Sequence, residues 1–385
     1  AVLRSGDECP RGTLPLIVAA SLIFSVSLLP SQPLFSQDIY RYLWDGGLVA
    51  QGINPFKHTP DDWRLILHRN EVYQKMEYPY LRTMYPPVAQ LLFALSAILR
   101  PSSVATFKLL VVGFHFFSIL IIVALLRQMA MGPARVIIYA WSPLVAKEFA
   151  NTGHMDAFPI FFLLLSLYLL IVRRRPGGSL VAVALSTLSK LFALMALPFF
   201  LKRTPWRYAC SLVPITIAAF YLPFAGAGGG LYEQTLVYST YWIFNPGLFE
   251  LLRAVTSPFS SDSLVAAKLL SAAILAGVLV WLYRRDDGSA QALLRSTFII
   301  LCTLLLLLPA PYPWYFAWIL PFLCFFPSVP WLYLAGATVL SYTYFLEMKD
   351  IPLYRWAEYV PFFTLLALPH VNRLRLLRTP APTLR

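Results

Sequence analysis

Charge is scarce in this 385-residue sequence: Asp, Glu, Lys and Arg make up 13% of it, about half the roughly 25% of an ordinary soluble domain. Hydrophobic residues reach 58% and mean hydropathy is +0.65, which excludes a water-soluble globule and a disordered chain. Cysteine is sparse too. Cys9, Cys210, Cys302 and Cys324 form no CxxC or paired spacing, and three of them lie inside apolar blocks, so neither disulfides nor sulfur-bound metal is expected. Long alternating apolar and polar segments are missing, and runs such as 301–309 are continuously apolar, which argues against a β-barrel. There is no Walker motif, no GxGxxG opening a helix and no evident internal repeat. Those absences count against a nucleotide-binding loop and a transporter built from inverted repeats.

What is present is a series of apolar blocks of about 15 to 22 residues, the length that crosses about 30 Å of hydrocarbon. The expected fold class is an all-α polytopic membrane protein, a single domain of about 10–13 transmembrane or re-entrant helices. Net charge is +13, yet most basic residues lie between the apolar blocks, so they read as positive-inside anchors and no nucleic-acid partner is expected. The clusters Arg4/Arg11, Arg127/Arg135, Arg173 to Arg175, Lys202/Arg203/Arg207, Arg284/Arg285 and Arg373/Arg375/Arg378 are accordingly assigned to the cytoplasmic side. The apolar run 14–29 follows Arg4 and Arg11 as in a signal peptide, but no A-x-A-like site follows it cleanly; a retained first helix within 1–30 is expected. Residues 31–87, the only extended polar stretch, carry Asp38, Asp45, Asp61, Asp62, Glu71 and Glu77 and are expected to be extracytoplasmic. A bundle over 88–370 and a basic cytoplasmic tail over 371–385 complete the organisation.

Further crossings are expected at 136–150, 155–172, 207–224, 262–283, 292–310, 314–327, 329–346 and 356–369. Topological parity requires 88–100 and 104–126 to make one net crossing and 179–200 to make none, which points to short, broken or re-entrant helices there. The 31 prolines help to locate the ends, at Pro86-Pro87, Pro311 with Pro313, Pro327 with Pro330, and Pro352. Residues 226–230, Gly-Ala-Gly-Gly-Gly, read as a flexible outer loop.

Three outer features carry candidate chemistry. The first is Ser36-Gln37-Asp38-Ile39-Tyr40-Arg41-Tyr42-Leu43-Trp44-Asp45-Gly46, which sets Asp38 beside the membrane exit. On a helix Arg41 shares a face with Asp38 and with Asp45, so one cation can hold two carboxylates. An interfacial amphipathic helix with an aromatic belt explains Tyr40, Tyr42 and Trp44 but leaves the acid unexplained. The segment then turns at Gly52-Ile53-Asn54-Pro55-Phe56 and returns through Met84-Tyr85-Pro86-Pro87; Tyr85 is a belt residue or a ligand contact. The second feature is Glu148-Phe149-Ala150-Asn151-Thr152-Gly153-His154-Met155-Asp156-Ala157, where His154 and Asp156 can act on one substrate, or Asn151 and Asp156 can cap helices. No HExxH, HxH or further His/Asp set accompanies them, so no metal is expected. Lys190 stands in an apolar stretch where a lysine costs about 2.5–3.5 kcal/mol. It needs a partner, either the cytoplasmic interface or a lipid phosphate held inside the bundle. The third feature is the rigid aromatic turn Pro309-Ala310-Pro311-Tyr312-Pro313-Trp314-Tyr315-Phe316-Ala317-Trp318, which with residues 232–245, ending at Asn245, can wall a lipid-exposed groove. Glu347, Asp350 and Glu358 read as solvated loop charges.

The runs Gln37-Asp38-Ile39-Tyr40-Arg41-Tyr42-Leu43-Trp44-Asp45-Gly46 with Gly52-Ile53-Asn54-Pro55, Tyr85-Pro86-Pro87, Gly153-His154-Met155-Asp156 and Pro313-Trp314-Tyr315 resemble the bacterial GT-C glycosyltransferases that use polyprenyl-phosphate mannose. The likeness runs from about residue 30 to about residue 325, and its first run is the most specific. It implies a GT-C-type bundle in the bacterial inner membrane, with the site on the extracytoplasmic side. It also implies an inverting transfer of a sugar, mannose by resemblance, from a polyprenyl-phosphate donor to a hydroxyl on a lipid, glycan or protein acceptor. By position the general base is Asp38, preceded here by Gln37 where many relatives have a second acid, which argues against a metal-bridged variant. Arg41, Asp45, Tyr85, His154, Asp156, Lys190, Asn245, Trp314 and Tyr315 are the expected substrate-binding residues, and no cofactor is expected. The partners are the donor, the acceptor and membrane lipids. The competing readings are a flippase for lipid-linked sugars, which needs no base, and a non-catalytic membrane scaffold, which has no use for concentrated outer acids.

Overall fold

The computed structural model describes residues 10, 12–347, 349 and 351–378, with side chains to residue 368. Arg4, Cys9, Arg11, Asp350, the side chains of Arg373, Arg375 and Arg378, and residues 379–385 lie outside that description. Among the described residues every regular element is a helix. Val104–Gln128, Trp206–Ala227, Ser263–Arg285 and Ala290–Leu307 are long and apolar enough to span a bilayer. Thr13–Leu28, Pro87–Leu99, Ala157–Ile171, Pro176–Ser189 and Leu191–Leu201 are apolar but shorter. At 1.5 Å per residue such helices reach only about 16–24 Å, less than the hydrocarbon thickness. The protein is an all-α polytopic membrane protein.

Several crossings expected as continuous helices are subdivided. Residues 136–150 form Ile137–Ala140, Pro143–Val145 and a π-helical turn at Ala146–Asn151. Residues 314–327 form 3₁₀ turns at Pro313–Trp318 and a short helix Leu320–Leu323, and 329–346 break at Thr338–Tyr342. Pro143, Pro313 and Pro321 each stand at the first or second position of one of these pieces, where a missing amide is harmless. The expected interruption in 179–200 is at Lys190, whose extended backbone (φ −160°, ψ 133°) separates Pro176–Ser189 from the 3₁₀ helix Leu191–Ala196.

The first helix packs within the bundle: Trp141 Nε1 donates to the Ile17 carbonyl at 2.9 Å, and Ser21 Oγ lies 3.3 Å from His115 Nε2. At one end of the bundle two basic clusters meet. Arg203 grips Asp286 through both terminal nitrogens, at 2.6 and 2.5 Å, and Lys202 donates to the Tyr283 and Asp286 carbonyls. Cys210, Cys302 and Cys324 are free thiols.

The polar segment 31–87 folds against the bundle. Helix Asp38–Ala50 ends in a Schellman motif, with Ile53 N donating to Leu48 O and Gly52 N to Val49 O at 2.9 Å each, and Gly52 takes φ 76°. Asn54 Oδ1 then accepts from Phe56 N and its Nδ2 donates to the Phe224 carbonyl, both at 3.0 Å. This corrects the reading of residues 226–230. Most of them belong to ordered helical turns, and a Cβ on Gly230 would stand 2.4 Å from the Phe56 carbonyl oxygen, so that glycine permits a close approach of two segments.

Helix Asp38–Ala50 is buried along most of its length against Pro87–Leu99. Their contact is set by Gly46, where a Cβ would lie 2.4 Å from the Phe93 backbone carbon and oxygen, whereas Gly47 faces open space. Gly46→Ala is therefore expected to cost about 1–3 kcal/mol through overpacking. Gly47→Ala is expected to be neutral or to stabilise by up to about 1 kcal/mol. Thermal melts of both variants in one detergent check the contrast.

Candidate active site

Asp38 occupies the first turn of its helix, where the helix dipole favours a carboxylate. The segment before it is tied down. Asn151 Nδ2 donates to Ser31 Oγ at 2.7 Å and to Gln32 O at 2.9 Å, and its Oδ1 accepts from Leu34 N. Phe35 takes a left-handed backbone (φ 71°), and its ring stacks on Tyr342 at 5.1 Å. The Asp38 carboxylate is recessed among protein atoms, though 37% of its side-chain surface stays accessible. Withdrawal from water raises its pKa to about 6; the charge of Glu77 adds to this, Lys190 opposes it, and Asp156 adds again.

One helical turn along, Tyr42 faces the same recess. Its hydroxyl lies 3.4 Å from His154 Nδ1, and its ring stacks on Phe93 at 4.8 Å and meets Tyr85 edge-on at 5.1 Å. His154 Nδ1 is 4.0 Å from Asp38 Oδ2, and His154 Nε2 is 3.4 Å from Glu148 Oε2. Glu148 is also held by Thr152 Oγ1 at 2.9 Å and Lys147 Nζ at 3.2 Å. The loop reaches this position because Gly153 adopts φ 70° and leaves room for Ile39, whose Cδ1 would be 2.6 Å from a Cβ. The π-helical turn Ala146–Asn151 leads directly into it, a distortion frequent at functional sites.

A second cluster forms the adjoining wall. Asp156 Oδ1 accepts from Lys190 Nζ at 2.7 Å and from Trp318 Nε1 at 2.6 Å. Asp156 makes no capping bond to the helix that follows it, so its partner is Lys190 and the helix-cap alternative falls. Lys190 Nζ also lies over the Tyr315 ring at 4.2 Å. The lysine expected to need a partner thus has one within the protein. Tyr315 stacks on Trp318 at 4.5 Å and its hydroxyl is 3.0 Å from that of Tyr238.

The aromatic turn and residues 232–245 do form one surface. Phe244, Tyr312, Trp314 and His154 stack in sequence at 4.3, 4.6 and 3.9 Å, with interplanar angles of 14°, 12° and 18°. Trp242 Nε1 donates to Tyr312 Oη at 3.1 Å.

Of the expected site residues, the structure brings Asp38, Tyr85, His154, Asp156, Lys190, Trp314 and Tyr315 around one recess. Arg41 and Asp45 are engaged with each other, Nε to Oδ1 at 2.9 Å, and with the returning segment: Arg41 Nη1 donates to Leu81 O and Gln90 Nε2 to Asp45 Oδ2. Asn245 stands apart, donating to Glu358 Oε2 at 2.6 Å. Glu358 is fully buried and not a solvated loop charge, because helix Pro352–Arg378 turns it toward Asn245. Tyr42, Glu148 and Trp318 were not singled out from the sequence. The i, i+4 spacing of Asp38 and Tyr42 and the acid at the end of an apolar block were the available signals for the first two; Trp318 gave none. Among the other outer acids, Asp62 closes a local turn: it accepts from the Arg64 backbone N–H at 3.0 Å and pairs with the His58 ring at 2.8 Å and the Arg64 side chain at 3.0 Å, which holds its pKa down to about 2.

The architecture is that of the GT-C class of membrane glycosyltransferases. The crystal structure of ArnT from Cupriavidus metallidurans bound to undecaprenyl phosphate superposes with a TM-score of 0.50 at 16% identity, covering 96% of this chain and 73% of that one. The sequence model described as "Alpha-(1->6)-mannopyranosyltransferase, N-terminal domain" matches residues 3–204, more than half of the chain, and the chain belongs to that family. Alpha-(1->6)-mannopyranosyltransferase A of Mycobacterium tuberculosis (strain ATCC 25618 / H37Rv) is 24% identical over 335 residues, 78% of this chain. The chain spans 63% of that relative's length.

The Arg41–Asp45 pair is nearly buried, and removing one partner of such a pair costs about 3–5 kcal/mol. Asp45→Asn is therefore expected to lower the melting temperature and to speed proteolysis within residues 76–85, read by limited digestion and mass spectrometry.

Proposed function

We propose that this protein is an inverting glycosyltransferase that moves mannose from a polyprenyl-phosphate carrier to an acceptor hydroxyl on the extracytoplasmic face of the bacterial inner membrane. The observation that carries the reading is the recessed, accessible Asp38 carboxylate facing the same space as the Lys190 ammonium. The family match and the lipid-phosphate-bound relative support the donor class.

Asp38 takes the proton from the acceptor oxygen as that oxygen attacks the anomeric carbon. The bond from that carbon to the phosphate oxygen breaks with inversion, and the lipid phosphate departs with its charge offset by Lys190. A carboxylate with a pKa of about 6 is a stronger base than an ordinary one and is still mostly ionised at pH 7. His154, held between Glu148 and Trp314, limits the positions open to Asp38 and Tyr42. Asp156 and Trp318 fix the Lys190 ammonium while leaving N–H groups to donate to phosphate. Tyr85, Trp314 and Tyr315 supply ring faces for the sugar or the lipid. Arg41 and Asp45 act by fixing the segment on which Tyr85 stands. The proposed chemistry draws on these groups without a metal, so transfer is expected to survive treatment with EDTA.

Asp38→Asn is expected to lower kcat by about 10²–10⁴-fold. With polyprenyl-phosphate mannose as donor, kcat/KM should fall about tenfold per pH unit below about 6. Because the folded-state pKa lies above the ordinary 3.8, the fold favours the protonated acid; that contribution is present below about pH 4 and lost as pH rises through about 6. Asp38→Asn should therefore melt no lower than wild type at pH 7, and retained turnover in a well-folded variant would remove Asp38 from the role. Lys190→Met should raise the donor KM about tenfold or more, with its melting temperature measured alongside because Asp156 loses its partner.

A further inference from the structure

On the other side of helix Asp38–Ala50 from the recess lies a cavity of about 310 Å³, within the roughly 300–1,000 Å³ of small-molecule sites. Tyr40 lines it, whereas Asp38 and Tyr42, spaced i, i+4, face the recess, so the cavity is separate from the site described above. Three elements meet around it. Leu29 and Ser31 stand just past the end of the first helix, Val104 opens the span Val104–Gln128, and Glu71 and Lys75 come from the polar segment. Asn70 ties the polar segment to the start of that span: its Oδ1 accepts from Val72 N at 3.0 Å, and its Nδ2 donates to Ser102 Oγ at 3.3 Å.

This meeting point lies at the level of the membrane surface. The first helix ends there and Val104–Gln128 begins there, and both present apolar side chains outward, Ile23 and Val26 on the one and Leu109 on the other. In the polar segment Trp63, Ile66 and Leu67 are exposed, Leu67 by 93%, beside an exposed Arg64. An aromatic and aliphatic face next to a basic side chain is disfavoured in water and suits the headgroup region of a bilayer. The cavity is open at Glu71, Lys75 and Ala105, all of them exposed.

Among the described residues its charged lining is one acid and one base, Glu71 and Lys75. At i, i+4 the two would pair along a regular helix, but Glu71–Gln74 ends before Lys75. Neither makes an ion pair among the described residues, and Lys75 Nζ lies over the Tyr40 ring at 5.6 Å, with N–H groups left to donate. A phosphate alone would bind Lys75 against the repulsion of Glu71, and an amine alone would meet the reverse. A headgroup that carries both charges satisfies both residues.

We propose that this cavity seats the headgroup of a phosphoethanolamine lipid from the adjoining leaflet, its phosphate on Lys75 and its primary ammonium on Glu71. The lipid would then brace Leu29 and Ser31, from which the chain runs on to Asp38. The site is independent of the chemistry at Asp38.

The test uses the full chain, delipidated in detergent and titrated with phosphatidylethanolamine, phosphatidylglycerol or phosphatidylcholine of the same acyl chains, with bound lipid counted by native mass spectrometry. One phosphatidylethanolamine should bind at least about tenfold more tightly than either of the others, because it alone offers both a phosphate and N–H donors to the carboxylate. Glu71→Gln should abolish the preference over phosphatidylglycerol. Lys75→Met should weaken all three lipids about tenfold. Ala105→Trp, which fills the cavity without changing charge, should remove the tight site. All three side chains are exposed, so lipid-free melting temperatures should stay close to wild type. Phosphatidylglycerol or phosphatidylcholine binding as tightly as phosphatidylethanolamine overturns the proposal, as does a preference that Glu71→Gln and Lys75→Met both keep, since the lipid would then sit elsewhere. Displacement of the bound lipid by undecaprenyl phosphate also overturns it, because the cavity would then serve a polyprenyl carrier.

Discussion

The arrangement depends on how closely one helix is held. Asp38–Ala50 is buried against Pro87–Leu99 through Gly46 and is overlaid by the loop at Gly153. Both glycines stand where a side chain would collide, so the backbones approach to within van der Waals contact and the polar ends of the helix face a defined recess. A wider separation would carry Asp38 and Tyr42 together away from His154, since both stand on this helix and His154 on the loop over it.

Around that helix the ionic groups withdrawn from water have partners within the chain, Arg41 with Asp45, Lys190 with Asp156 and Glu148 with Lys147, as Arg203 has Asp286 at one end of the bundle. This follows from the cost of an unpaired charge in a low-dielectric interior. Asp38 differs: among the described residues no lysine or arginine lies within 4.0 Å of its carboxylate, whose basic neighbour is the His154 imidazole, Nδ1 at 4.0 Å, and the carboxylate stays accessible. Pairing elsewhere leaves this carboxylate free to take a proton, and the same withdrawal from water that raises its pKa makes it a better base.

The family match over residues 3–204 contains Asp38, His154, Asp156 and Lys190, whereas the aromatic wall is contributed from 232–318. The acid, the imidazole and the ammonium therefore lie in the part of the chain that defines the family. The aromatic wall lies beyond it.

Much was legible from order along the chain. The length and continuity of the apolar blocks determined a helical membrane protein, because a bilayer admits no other fold for continuously apolar segments of that length. The acid after the first helix, an interruption within 179–200 and the meeting of 232–245 with the aromatic turn were also readable, the first and last from local composition and the second from topological parity. Tertiary structure alone decided which charges neutralise which. Lys190 finds Asp156 across 34 positions, Asn245 finds Glu358 across 113, and Trp318 donates to Asp156 across 162. It also decided that Gly230 makes a close contact and is not part of a flexible loop, and that Glu358 is buried and not solvated. The physical reason is common to all of these: hydropathy and spacing report how a residue meets water or its helical neighbours, but a long-range pair exists only once packing has brought two distant segments within hydrogen-bonding distance.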